Sequence, residues 1–154
     1  MKQLLPILAL LVTSTVVTNS VFAQSDKEVQ WTFAAKKVSD NTYEIHMTAR
    51  VNDDWHIYSQ DAGEGPFATA ITFNKNPLVN FEGKVKESGK MKKVFEKSFD
   101  TEVRYYENMV SFVQVVKLKG KVKTNLAGKV EFMVCNDSRC LPPAAVDFKI
   151  NIGG

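Results

Sequence analysis

Only two cysteines, Cys135 and Cys140, and two histidines, His46 and His56, occur among the 154 residues. A C-x4-C pair needs two further ligands to close a structural metal site, and those histidines are the only imidazoles on offer, so a bound metal is not expected. No Ser-His-Asp arrangement and no paired-carboxylate pattern stands out, which argues against a hydrolase. The balance of charge is slight, +3 over the whole sequence, and the lysines are scattered. Nucleic acid is therefore not an expected partner. Beyond the N-terminal stretch no apolar run approaches the length of a membrane span, and no segment shows helical periodicity or an internal repeat.

What the N-terminus does hold is a short positive region, Met1-Lys2-Gln3, followed by an apolar run from Leu4 to Val17 and then Val21-Phe22-Ala23. This reads as a secretory signal peptide, residues 1–23, cut after Ala23; the apolar core is short for a retained anchor. Residues 24–154 then form a single exported domain, periplasmic and free of the membrane after cleavage, with 19 basic and 17 acidic residues. That length suits one domain with a real core and is too short for two. Export matters for the cysteines, because disulfides persist outside the cytosol.

Period-2 alternation is clearest in Thr42–Val51, where Tyr43, Ile45, Met47, Ala49 and Val51 alternate with polar residues and His46 falls on the solvent face. Ser39-Asp40-Asn41 joins it to a preceding strand, Val29–Val38. Trp55-His56-Ile57-Tyr58 begins a third strand, with His56 and Tyr58 on one face and Trp55 and Ile57 on the other. Strands are expected at Thr69–Phe73 and Leu78–Phe81, the latter ended by Gly83. From Lys84 to Lys97 the pattern weakens, and its lysines suit an exposed edge. Met109–Leu118, rich in valine, is expected to be a central strand covered on both faces. Lys119–Lys121 and Asn125–Gly128 read as turns around another short piece. A strand running Lys129–Val134 delivers Cys135, and a last one spans Val146–Ile152. Seven to nine such strands at near ten-residue intervals predict an all-β protein, an immunoglobulin-like antiparallel β-sandwich.

The stretch Cys135-Asn136-Asp137-Ser138-Arg139-Cys140-Leu141-Pro142-Pro143 concentrates the chemistry. A disulfide closing so small a ring contributes only about 2 kcal/mol by the chain-entropy argument, which is little for a structural staple. A tight ring suits exchange better, since its bond opens readily to thiolate attack. Pro142 and Pro143 remove two backbone donors and stiffen the exit. Asn136-Asp137-Ser138 also matches a glycosylation sequon, relevant only to a eukaryotic secretory route.

With this ring, the Asp53-Asp54-Trp55-His56-Ile57-Tyr58 segment and the all-β pattern, the chain resembles the N-terminal periplasmic domain of the thiol:disulfide interchange protein DsbD, from about Trp31 to Ile152. The resemblance implies an immunoglobulin-like domain that shuttles electrons through its cysteine pair. It would be recharged by a thioredoxin-like or membrane reductase and would donate to disulfide-isomerase-type and other exported thiol proteins. It also implies that Cys140 forms the mixed disulfide, that an aromatic on a cap loop covers the pair, here Phe99 with Phe95 second, and that His56 and Tyr58 support it. Arg139 beside Cys140 should favour the thiolate, while Asp137 opposes it. His56 could accept or donate a proton, its ordinary pKa lying near neutrality. No organic cofactor or metal is required. The cysteines stand one residue closer than in the best-known members, and Lys97-Ser98 replaces the acidic residues that precede the cap aromatic there. The sequence carries no transmembrane bundle and no C-x-x-C thioredoxin-like part, so a stand-alone carrier is expected.

Two other readings stay open on the residues alone. One is an immunoglobulin-like binding or adaptor module whose ring is a permanent clip. The other is a periplasmic metal carrier using Cys135, Cys140 and a histidine, with Met133 for a soft ion.

Overall fold

The computed structural model describes residues 25–154; the signal peptide expected over residues 1–23 lies outside them. A single helical turn, α1 (Ser25–Glu28), leads into nine strands: β1 (Val29–Ser39), β2 (Thr42–Val51), β3 (His56–Tyr58), β4 (Ala70–Phe73), β5 (Val79–Glu96), β6 (Thr101–Leu118), β7 (Thr124–Phe132), β8 (Val134–Cys135) and β9 (Ala144–Ile152). All the pairings are antiparallel. One sheet has six strands in the order β1-β2-β6-β3-β8, with β5 on the other edge of β6; the second has three, β4-β7-β9. The chain is all-β and forms an immunoglobulin-like antiparallel β-sandwich.

Alternation decides which side chains fill the space between the sheets. Ile45, Met47 and Ala49 of β2, Val110, Phe112 and Val116 of β6, and Leu126, Val130 and Phe132 of β7 are all fully buried in one cluster. Trp31, Phe33, Phe73 and Phe148 pack against it, with Phe33 stacked on Phe148 at 5.0 Å between ring centroids. A second, smaller cluster of Tyr58, Ala62, Val103 and Cys135 sits at the end of the large sheet. That end is the one β6 reaches by its unusual length. Its C-terminal half pairs with β2, its N-terminal half with β3, and the exchange of partners falls at Asn108, which adopts φ 61°.

Four expectations need correction. Leu78–Phe81 and the lysine-rich stretch after it are one edge strand, β5, because Gly83 (φ 70°) takes up a register shift between Glu82 and Lys86 without ending the pairing. The valine-rich strand is central, yet it begins at Thr101, and only one of its faces is buried. Val113 and Val115 are half-exposed between the side chains of neighbouring strands, Val113 opposite His46 and Lys86. Asn125–Gly128 is not a turn but lies within β7, where a Cβ on Gly128 would collide with the Thr72 carbonyl oxygen and stand 2.5 Å from the Phe148 ring. Finally, the strand leading to Cys135 is two strands. The chain leaves the small sheet after Phe132 and joins the large one at Val134, and Met133 makes the crossing.

Candidate functional site

The crossing at Met133 places the cysteines beside β3. Val134 pairs with Ile57 and Cys135 with His56, while the other edge of β3 pairs with β6, Tyr58 opposite Tyr105. Trp55 and Ile57 point into the main core; His56 and Tyr58 face the opposite way, toward the disulfide. Cys135 and Cys140 are bonded, their Cα atoms 4.0 Å apart and bridged as an antiparallel pair. Asn136 builds the turn between them. Its side-chain oxygen accepts hydrogen bonds from the Ser138 and Arg139 amides at 2.9 Å each, and its own amide donates to the Arg139 carbonyl. Leu141 then returns the chain to the core, 4% exposed, its amide donating to the Val134 carbonyl, and Pro142 and Pro143 lie exposed before β9.

The ring is therefore asymmetric: Cys135 is 2% exposed and Cys140 is open to solvent. A cleft of about 310 Å³ runs over the pair, lined by both cysteines together with His56, Tyr58, Phe99 and Arg139. The 97–100 turn at the tip of the β5–β6 hairpin supplies Phe99. The Phe99 amide donates to the Glu96 carbonyl, and Asp100 closes the turn at φ 53°. Phe99 is half-buried and packs with Tyr58, Val103 and Cys135. Phe95, the second choice for a cap, is 64% exposed and does not line this cleft, because it points the opposite way from its neighbours Val94 and Glu96.

The expected site residues Cys135, Cys140, Phe99, His56, Tyr58 and Arg139 thus meet around one cleft. His56 is 9% exposed; its ring lies 4.2 Å from that of Tyr105 and edge-on to Tyr58, whose hydroxyl is 3.3 Å from Nε2. Burial pulls the His56 pKa below its ordinary value, against the opposing pull of the Glu96, Glu107 and Asp137 carboxylates, so the imidazole is neutral at neutral pH. Burial pushes Tyr58 up to about 12 and raises Tyr105 as well, so both hydroxyls keep their protons. The Arg139 guanidinium lies 5.8 Å over the Trp55 ring, on the same turn as Asp137.

Tyr105 and Glu96 also line the cleft and escaped the sequence reading. Glu107-Asn108 interrupts the apolar pattern of β6, so Tyr105 falls outside the recognisable strand. Its signal is the cross-strand partnership with Tyr58, visible only once β6 is extended back to Thr101. Among the described residues no group of three or more His, Cys, Asp or Glu side chains is placed to hold a metal ion. No helix among them is long and apolar enough to cross a membrane.

The family model for the N-terminal part of the thiol:disulfide interchange protein DsbD matches residues 22–151. The chain belongs to this family. Among solved structures it is similar to the reduced DsbD N-terminal domain of Neisseria meningitidis, at 17% identity and a TM-score of 0.58, covering 84% of this chain and 90% of that one. The N-terminal periplasmic domain of ScsB from Proteus mirabilis gives the same identity and TM-score over 84% of this chain and 48% of that one. Among curated proteins none matches. At such identities these two likenesses show the fold alone. Membership of the DsbD N-terminal family, with a bonded Cys135–Cys140 pair, fits a thiol–disulfide exchange module.

Proposed function

We propose that this DsbD N-terminal-type domain is exported by cleavage after Ala23 and works in the periplasm as an electron shuttle. It would accept electrons from a thioredoxin-like or membrane reductase and pass them to disulfide-isomerase-type and other exported thiol proteins. The observation that carries the reading is the asymmetry of the pair, Cys140 open and Cys135 2% exposed, in a cleft bordered by Phe99.

In the accepting half-cycle a partner thiolate attacks Cys140 Sγ. The Cys135–Cys140 bond breaks, its electron pair leaves on Cys135 Sγ, and a mixed disulfide joins Cys140 to the partner. The partner's second thiolate then attacks its own sulfur in that bond, releasing Cys140 and leaving the partner oxidised. Two electrons and two protons have moved to the pair. Neutral His56, the cross-strand partner of Cys135, would exchange a proton with the released sulfur, a role that their pairing supports. Arg139, the neighbour of Cys140 in the chain, would favour a thiolate there once its guanidinium swings off the Trp55 ring. Phe99, packed on the Cys135 side of the cleft, acts as a partial apolar lid that narrows the approach to the pair and that a docked partner displaces, and Pro142 and Pro143 hold the exit of the ring. The route needs no bound cofactor.

The test is to trap the intermediate. In a Cys135→Ala protein Cys140 has no resolving neighbour, so reductant-sensitive adducts with periplasmic thiol proteins should accumulate. Their absence, or equal adducts from Cys140→Ala, would refute attack at Cys140.

A further inference from the structure

Phe99 does not rest on the disulfide side alone. Beneath it runs the loop that follows β3, and that loop is fastened to the start of β6. The Ser59 amide donates to the Arg104 carbonyl at 3.0 Å and the Arg104 amide donates to the Ala62 carbonyl at 2.9 Å. The Arg104 guanidinium reaches back to the Asp61 carbonyl at 3.2 Å and to its carboxylate at 2.8 Å. Ala62 is 2% exposed in the same cluster as Tyr58, Val103 and Cys135. Two glycines then allow close approach. Gly63 (φ 93°) lies directly against the Glu102 carbonyl, and Gly65 (φ 105°) lies against the lid itself.

The Gly65 contact is selective. A Cβ there would stand 2.6 Å from Phe99 Cδ1 and 2.9 Å from its Cβ and Cγ, the three nearest atoms all belonging to that one side chain. A side chain at position 65 would therefore meet Phe99 first, on a backbone that φ 105° makes strained for any residue but glycine. We propose that the Asp61–Gly65 loop is the seat of the lid, and that Gly65 is a positioning residue which sets how far Phe99 closes over the Cys135–Cys140 cleft. This rests on reading Phe99 as the lid. In the DsbD-type cycle the loop would then govern access to the sulfurs from a position outside the cleft.

The experiment is the rate at which excess dithiothreitol reduces the pair in the mature protein, followed by thiol trapping; dithiothreitol gives up two electrons and two protons and closes to its cyclic disulfide. Phe99→Ala should raise the rate. Gly65→Ala should raise it on the order of tenfold, as overpacking pushes the ring aside, and should add nothing in a Phe99→Ala background. Gly65→Asn carries the same Cβ and is the side chain least averse to positive φ, so it serves as the second variant should the alanine protein fail to fold, its urea midpoint being measured alongside, and the same rise is expected. Gly83→Asn is the control: φ there is 70° with nothing within 4 Å of an added Cβ, and the rate should stay at the wild-type value. A Phe99→Ala effect with no effect of either Gly65 variant overturns the seat and spares the lid. No effect of Phe99→Ala overturns the lid and the seat with it. A Gly65 effect that persists undiminished without Phe99 also overturns the seat.

Discussion

Reducing the disulfide should cost this fold little. The ring closes at a sequence separation of 5, so the entropy it removes from the unfolded chain is worth about 2 kcal/mol at 25 °C, and any strain in the native ring lowers that figure. Cys135 is held from other directions: β8 pairs with β3, the Leu141 amide is bonded to Val134, and Leu141 is buried. The reduced protein should therefore stay folded. In paired urea titrations of the oxidised and reduced forms the midpoints should differ by about 1 M or less, taking an m-value of about 2 kcal/mol/M. By linkage the same gap sets the pair's potential relative to the unfolded chain: about 2 kcal/mol is about 45 mV for a two-electron couple. The folded pair would thus be only slightly harder to reduce than the same cysteines in a random chain, as a shuttle requires. A gap above about 4 kcal/mol, or loss of cooperative unfolding on reduction, would refute this and mark the ring as the clip of an adaptor.

Further outcomes follow from the packing around the site. Ile57→Ala, at a side chain with no exposure under the β3 pair, should lose about 2–5 kcal/mol by urea denaturation; a loss below about 1 kcal/mol would contradict the packing assigned to β3. Tyr106→Phe removes a donor 2.6 Å from Glu87, which keeps its bonds from Ser59 Oγ and the Gln60 amide, so the cost should be about 1–2 kcal/mol with the fold unchanged; no cost would mean that bond is not made. His56 has a folded pKa below its unfolded value of 6.5, so the unfolded chain binds its proton first. That contribution to stability is complete above pH 6.5 and is lost as the pH falls through the folded value. His56→Gln should flatten the fall of the urea midpoint below pH 6.5, and an unaltered slope would show that His56 is not the group responsible.

The legible parts of this chain were those where one face is buried and the other is wet. β2 and β9 alternate cleanly because each packs on one side only. The cysteine ring and its turn chemistry are local, so residues 135–143 announce the pair without the fold. What stayed hidden depends on pairing over distance. The sheet switch at Met133 cannot be seen because Val130, Phe132 and Val134 are all buried, whichever sheet they join. The N-terminal half of β6 is masked by the polar Glu107-Asn108 step at which it changes partners, and Tyr105 is lost with it. β5 is split in the sequence by Gly83, which reads as an ending although β6 pairs with the strand on both sides of it, while the lysines beyond do mark an exposed edge. Gly128 looks like turn punctuation, and only the approach of Thr72 and Phe148 explains it. Phe99 could be singled out from the resemblance, but the Gly65 contact beneath it appears only in three dimensions.

The central claim, that Cys135–Cys140 is an exchange couple, is tested most directly by its equilibrium reduction potential, titrated against glutathione and dithiothreitol with thiol trapping on the mature protein. A value within about −270 to −120 mV, the span of known exchange proteins, is the result predicted. A value below about −300 mV would mark a structural bond and contradict the account.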